Sequence, residues 1–185
     1  MSRCSATCRL GRAAVALLVA MLAATAIAAQ ERRFDVGHAP TSEEFGAWSG
    51  SAFPDGTGLP PGQGTAREGA ALYREACFVC HGHNARGDQA AALVGGRDTL
   101  TESRPKRTVE SYWPYATTLW DYTKRSMPYE EPGSLTDDQV YAVVAYVLNL
   151  AGLVEEDEIV DADSLPQIRM PNRDGFIPDS RPDTR

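Results

Sequence analysis

Histidine and cysteine are scarce in this chain: three histidines and four cysteines in 185 residues. Where they stand therefore bounds any metal or thiol chemistry. An excess of positive charge is also missing, since the formal net charge is −7. That disfavours a nucleic-acid partner, which needs clustered Lys and Arg against its phosphates. Long apolar runs are limited to one uncharged stretch of 17 residues, Ala13–Ala29, short of the roughly 20 residues of a spanning helix. No βαβ pattern of strands is visible, which removes the setting expected of a dithiol-disulfide redox pair. What is present, 43% hydrophobic and 23% charged side chains, is ordinary globular composition and suits one domain with a modest core.

Arg3, Arg9 and Arg12 precede the apolar run, and it ends in small residues around Ala26-Ile27-Ala28. This is the form of a secretory signal peptide over residues 1–28; an uncleaved anchor is the alternative. Cleavage removes three arginines and no acids, which moves the charge from −7 to −10. The expected mature protein is periplasmic, acidic, without stable membrane insertion, and able to steer a basic redox partner towards itself. The same cut removes Cys4 and Cys8, so Cys77 and Cys80 remain alone in an oxidising compartment.

Cys77-Phe-Val-Cys80-His81 reads as a c-type haem attachment site, with two thiols for thioethers to the haem vinyls and an adjacent histidine for the iron. Residues three apart share a helical face, so both sulfurs meet one edge of the macrocycle while the next residue swings under the metal. Zinc would need two further ligands, with only His38 and His83 to supply them. A disulfide across two residues would leave His81 without a role. On the opposite haem face the available ligands are Met127, Met170, His38 and His83. His83 lies two residues past His81, cannot cross, and reads as a surface residue. Met127 sits in KRSMPYEEPGSLTDDQV, where Pro128 and Pro132 keep the backbone extended and Gly133 turns it before a helix. Such a loop can lay a thioether over iron, and Met/His ligation raises the potential relative to bis-histidine. Met170, in the polar tail, and His38 are the alternatives.

Ala70, Tyr73, Cys77 and Cys80 recur at helical spacing and predict a helix over 65–80. Gly69 inside it costs about 1 kcal/mol against Ala, which predicts close packing on another helix. That partner is expected from Asp137 to about Leu150. Thr136 and Gln139 form its capping box, Leu135 and Val140 its staple, and Val140, Val143, Val144 and Val147 its apolar face. Tyr146 is placed to cross Gly69, and Gly152 supplies the stop. A third helix is expected from Pro114 through YATTLWDYTKR to deliver Met127. Arg97, Trp113, Tyr115 and Trp120 are candidate haem-propionate or haem-wall contacts; core packing of the aromatics and a surface role for Arg97 compete with that. The layout is thus an N-terminal wrap at 29–64 with one short helix in TSEEFGAW, a haem domain at 65–152, and a C-terminal extension at 153–185. Packing, ordering on a partner and mobility are all open for the extension.

Gly69-x3-Tyr73-x3-Cys77-x2-Cys80-His81, then Met127-Pro128, then a helix bearing Tyr146, resembles class I cytochromes c over residues 65–151. The resemblance implies an all-α class I cytochrome c fold, three to five helices around one covalently attached haem c, with long irregular N- and C-terminal extensions. It implies His81 as proximal ligand, Met127 as distal ligand, and Gly69 with Tyr146 as the helix crossing. Members commonly carry a proline shortly after the attachment motif whose carbonyl accepts the histidine Nδ1 hydrogen. Here the stretch is GDQAAALVGGR, so another carbonyl must orient His81.

PDGTGLPPGQG, SYWPYATTLWDYTKRSMP and MPNRDGF carry a narrower resemblance, to the cytochrome subunits of periplasmic sulfur-compound dehydrogenases: the SoxD-type subunit of sulfane dehydrogenase and the cytochrome partner of sulfite dehydrogenase. It implies a monohaem electron-transfer subunit, not catalytic by itself, that takes electrons from a molybdopterin dehydrogenase subunit and passes them to a downstream cytochrome or oxidase. A free diffusible carrier, and a haem catalyst such as a thiosulfate dehydrogenase, are the alternatives.

Overall fold

In the computed structural model, which describes residues 37–44, 50–178 and 181, Thr65 opens the first long helix, α1 (Ala66–Ala76). Its hydroxyl accepts from the Glu68 N–H at 3.3 Å, and the Glu68 carboxylate accepts from the Thr65 N–H at 2.8 Å. This reciprocal cap satisfies two of the donors that a helix start leaves orphaned. The helix predicted over 65–80 is broken at Cys77, whose φ of −123° and ψ of −32° leave the helical region, and resumes as α2 (Phe78–His81).

Helix α3 (Val109–Tyr112) is an element that the periodicity did not announce. Thr108 caps it with Ser111, a weaker signature than the Thr-x-x-Glu of α1. Trp113 is extended, with φ −75° and ψ 128°, as the steric demand of a following proline requires. The next helix, α4 (Ala116–Ser126), therefore starts two residues after the expected Pro114, with Tyr115 as N-cap and Met127 as C-cap. The Met127–Pro128 peptide is cis. Helix α5 (Asp137–Leu150) has the expected bounds and capping box. At its end Gly152 takes φ 67°, and Leu153 N–H and Gly152 N–H donate to Leu148 O at 2.9 Å and Asn149 O at 2.8 Å. Those two bonds form a Schellman stop, which needs a residue free to adopt the left-handed region.

The main packing contact is α1 against α5. A Cβ added at Gly69 would fall on the Ala142 carbonyl oxygen and come within 2.9 Å of Tyr146 Cβ, so the expected crossing is a backbone-to-backbone contact that excludes any larger residue. Tyr73 and Tyr146 meet beside it, tilted by 49° with centroids 5.1 Å apart. Across the core Trp120 meets Tyr141 at 5.4 Å.

The flanking segments close on this core. Residues 63–64 (β1, Gln63–Gly64) pair antiparallel with β2 (Val160–Asp161), Gln63 opposite Asp161 and Gly64 opposite Val160. On the N-terminal side, Tyr141 donates to Pro60 O at 2.9 Å and Ala52 N–H donates to Asp121 at 2.9 Å. On the C-terminal side Val160, Leu165 and Met170 are fully buried in the same apolar cluster as Tyr73 and Trp120. The extension left open by the sequence is therefore packed. The chain divides into units Met1–Glu43 and Glu44–Arg185, and this architecture is that of the second. The expected signal peptide and residues 45–48 of TSEEFGAW lie outside the described residues; 42–44 are helical. Among the described residues no helix is long and apolar enough to cross a membrane.

Candidate haem site

The break at Cys77 places the CFVCH segment at the mouth of a cavity of about 650 Å³, within the range of about 300–1,000 Å³ usual for cofactor sites. Its lining is mostly apolar and draws on every main helix: Tyr73 and Ala76 from α1, Leu119 from α4, and Val143, Val144 and Val147 from α5. Cys77, Cys80, His81, Trp113 and Met127, which the sequence set apart across 51 positions, all face it.

His81 ends α2, and its Nδ1 lies 3.0 Å from the Ala91 carbonyl oxygen. A carbonyl can only accept, so Nδ1 carries the proton and Nε2 keeps a lone pair for a metal. The loop holding that carbonyl is fixed at several points: Gly87 N–H to His81 O and Ala90 N–H to Cys80 O, both 2.8 Å, and Leu93 N–H to Ala85 O, also 2.8 Å. Tyr73 donates to Gly82 O at 2.9 Å, clamping the turn after the histidine. The residue that orients His81, left open by a segment without proline, is thus Ala91. The sulfurs of Cys77 and Cys80 are not bonded to each other. Burial, helped by the neighbouring Cys80, pushes the Cys77 thiol up to about 11.

Met127 reaches the cavity from the end of α4 through a loop whose two ends are tied together. Lys124 donates to Leu135 O and pairs with Asp137, both at 2.8 Å. Of the rival ligands, Met170 is buried in the apolar core and His83 is exposed on the turn after His81, while His38 belongs to the first unit. Among the described residues no three His, Cys, Asp or Glu side chains converge as a metal cluster.

Of the four further contacts named from the sequence, only Trp113 lines the cavity, where its ring meets Tyr122 edge-on at 5.7 Å. Arg97 is spent on the Ala151 carbonyl and on Glu110. Buried Glu110 also accepts the N–H groups of Gly95, Gly96 and Arg97, so this loop is held by its own carboxylate. Tyr115 lies under the Arg173 guanidinium, 4.2 Å from its ring centroid. Trp120 is core, and its Nε1 has no partner among the described residues. A charged residue that sequence reasoning passed over, Arg107, does line the cavity; within the run RPKR nothing local sets it apart.

A mostly apolar, partly open cavity with two thiols and an oriented imidazole at its mouth fits a covalently attached haem. The comparisons agree. The cytochrome c family model matches residues 66–151. Thiosulfate dehydrogenase of Stutzerimonas stutzeri (strain A1501) is 29% identical over 114 residues, 59% of this chain and 34% of that protein, so the chain spans about a third of the curated relative it matches. In the crystal structure of the sulfane dehydrogenase SoxCD from Paracoccus pantotrophus, one chain is similar with a TM-score of 0.74 and 41% identity, over 80% of this chain and 74% of that one. The chain belongs to the cytochrome c family: it has the class I fold, carries covalently bound haem c, and serves electron transfer.

Proposed function

We propose that this chain is the periplasmic monohaem cytochrome subunit of a sulfur-compound dehydrogenase, taking electrons from a molybdopterin subunit and passing them to a downstream cytochrome or oxidase. The observation that carries this reading is the extent of the likeness to the SoxCD chain, 41% identity over 80% of this chain. It runs well beyond residues 66–151, into the flanking segments that distinguish this chain from a bare haem domain.

In this reading Cys77 and Cys80 supply the thioether attachments, His81 the proximal ligand and Met127 the distal one. When bound, haem c supplies a one-electron couple at its iron. The Ala91 carbonyl holds the imidazole in one tautomer, the α5 valines and Trp113 exclude water, and the Lys124 tie keeps the Met127 loop closed. His81 and Met127 would both be committed to holding the haem, which would leave substrate chemistry to the partner.

The test is to mix the haem-loaded protein with a molybdopterin sulfur-compound dehydrogenase and add sulfite or thiosulfate. Reduction of the haem, seen as sharpening of its visible bands, is expected only when enzyme and substrate are both present. No reduction, in a protein that dithionite does reduce, removes the assignment. The likeness to a thiosulfate dehydrogenase favours a second reading, a haem catalyst with an exchangeable axial position. Rapid carbon monoxide binding by the reduced protein would select it.

A further inference from the structure

We propose that Arg107 binds a haem propionate and is the counter-charge for that carboxylate. Haem c is attached through its vinyl positions and keeps two carboxylates, which must go somewhere in or at the edge of this cavity. Among the described residues that line it there is no Asp or Glu, and Arg107 is the one side chain with a fixed charge. A carboxylate against an apolar wall loses hydration and disfavours ionisation unless a cation or donor meets it. Arginine, with a planar fork of donors, answers that need by bidentate pairing.

The guanidinium is also held in place. It lies over the Tyr112 ring, 5.4 Å from the centroid. Tyr112 is fixed in turn by the C-terminal extension: Asn172 donates to its carbonyl at 2.7 Å, and Phe176 meets its ring edge-on at 5.2 Å. The next residue, Thr108, is buried and faces the same cavity, so the loop carrying Arg107 is anchored at the wall. Arg97, the cation chosen from sequence, does not line the cavity; its guanidinium donates to Ala151 O and pairs with Glu110 at 3.9 Å.

The other titratable groups facing the cavity are Tyr73 on α1, Cys77, Cys80 and His81, Tyr122 on α4, and Tyr129; Arg104 and Lys106 are exposed on the same loop, as is Arg107 itself, at the cavity's edge. None of these changes in the variants below. The inference rests on the cavity being the haem site, and loss of covalent haem in C77S and C80S reports on that separately.

The experiment is a redox titration against pH of the haem-loaded wild type, R107Q and R97Q. Without its partner the carboxylate titrates above its ordinary value of about 4 to 5, and once ionised it favours the ferric state. R107Q is expected to match the wild type at the acid end and to fall below it as pH rises through that raised value, with a slope tending to one proton per electron; R97Q shows no such step. An R107Q profile that superimposes on the wild type overturns the proposal, as does an equal step in R97Q. A second reading keeps the positive charge: the propionate bending band of the resonance Raman spectrum, which responds to hydrogen bonding, shifts between wild type and R107K. An unmoved band overturns the proposal.

Discussion

At the scale of single residues the site is built from side chains with one task each. Met127, proposed as the distal ligand, is the thioether that the end of α4 brings to the cavity. Replacing it with alanine is expected to abolish the far-red absorption band of sulfur bound to ferric iron, and survival of that band would reassign the ligand. Tyr73 is almost wholly buried and donates to Gly82 O behind the histidine. Tyr73→Phe leaves that carbonyl short of a donor at a cost of about 1–2 kcal/mol, read as a lower denaturant midpoint. Burial pushes the hydroxyls of Tyr73 and Tyr141 up to about 12, from an ordinary value of about 10. A raised value means that the folded state holds its proton longer than the unfolded one. The stabilisation is therefore complete below about pH 10 and is lost as pH rises to about 12. Stability measured across that range should fall for the wild type and fall less for Tyr73→Phe and Tyr141→Phe. The motif residues were legible because covalent haem attachment demands a fixed local spacing. Ala91 and Arg107 were not, since a carbonyl and a loop arginine acquire roles only from what they face.

At the scale of elements the crossing of α1 and α5 decides whether the cavity exists. Gly69→Ala would drive a methyl group into the Ala142 carbonyl and Tyr146, in the manner of overpacked cores that cost about 1–3 kcal/mol or more. The expected outcome is a large loss of stability with little soluble haem-loaded protein, seen by thermal melting and haem staining. Gly152→Ala strains only the end of α5 and should cost about 1 kcal/mol; a loss as large as that of Gly69→Ala would mean the stop is coupled to the crossing. Helix α5 was readable in full because caps, staple and glycine stop are all local signals. Helix α3, held by a Thr-Ser pair and four residues long, has too few periods to show. Helix α4 starts later than Pro114 because proline favours a first helical turn only in general, while here Tyr112 and Tyr115 on either side of Trp113-Pro114 are held by the distant tail.

At the scale of the whole molecule the flanks are structural. Val160, Leu165 and Met170 are buried, β2 covers β1, and Asn172 and Phe176 reach the platform beneath Arg107. Deleting residues 154–185 should expose this apolar surface and lower the melting temperature by several degrees or more, since each large side chain buried contributes about 1.5–3 kcal/mol. An unchanged melt would mean that the haem domain stands alone. The acidic chain also predicts that electron transfer to a basic partner slows as salt is raised, because screening weakens steering at the surface. Stopped-flow rates at increasing ionic strength check this.

By itself the sequence determined the cofactor, the motif proposed to attach it, the main helical pair and its glycine crossing, because each depends on spacing within one turn or on one helix face. The tertiary structure decided which methionine reaches the cavity, which carbonyl orients His81, which arginine lines the wall, and that the polar tail is part of the core. Those answers depend on which distant segments meet, and a chain carries no local mark of the side chain that will lie opposite it once folded.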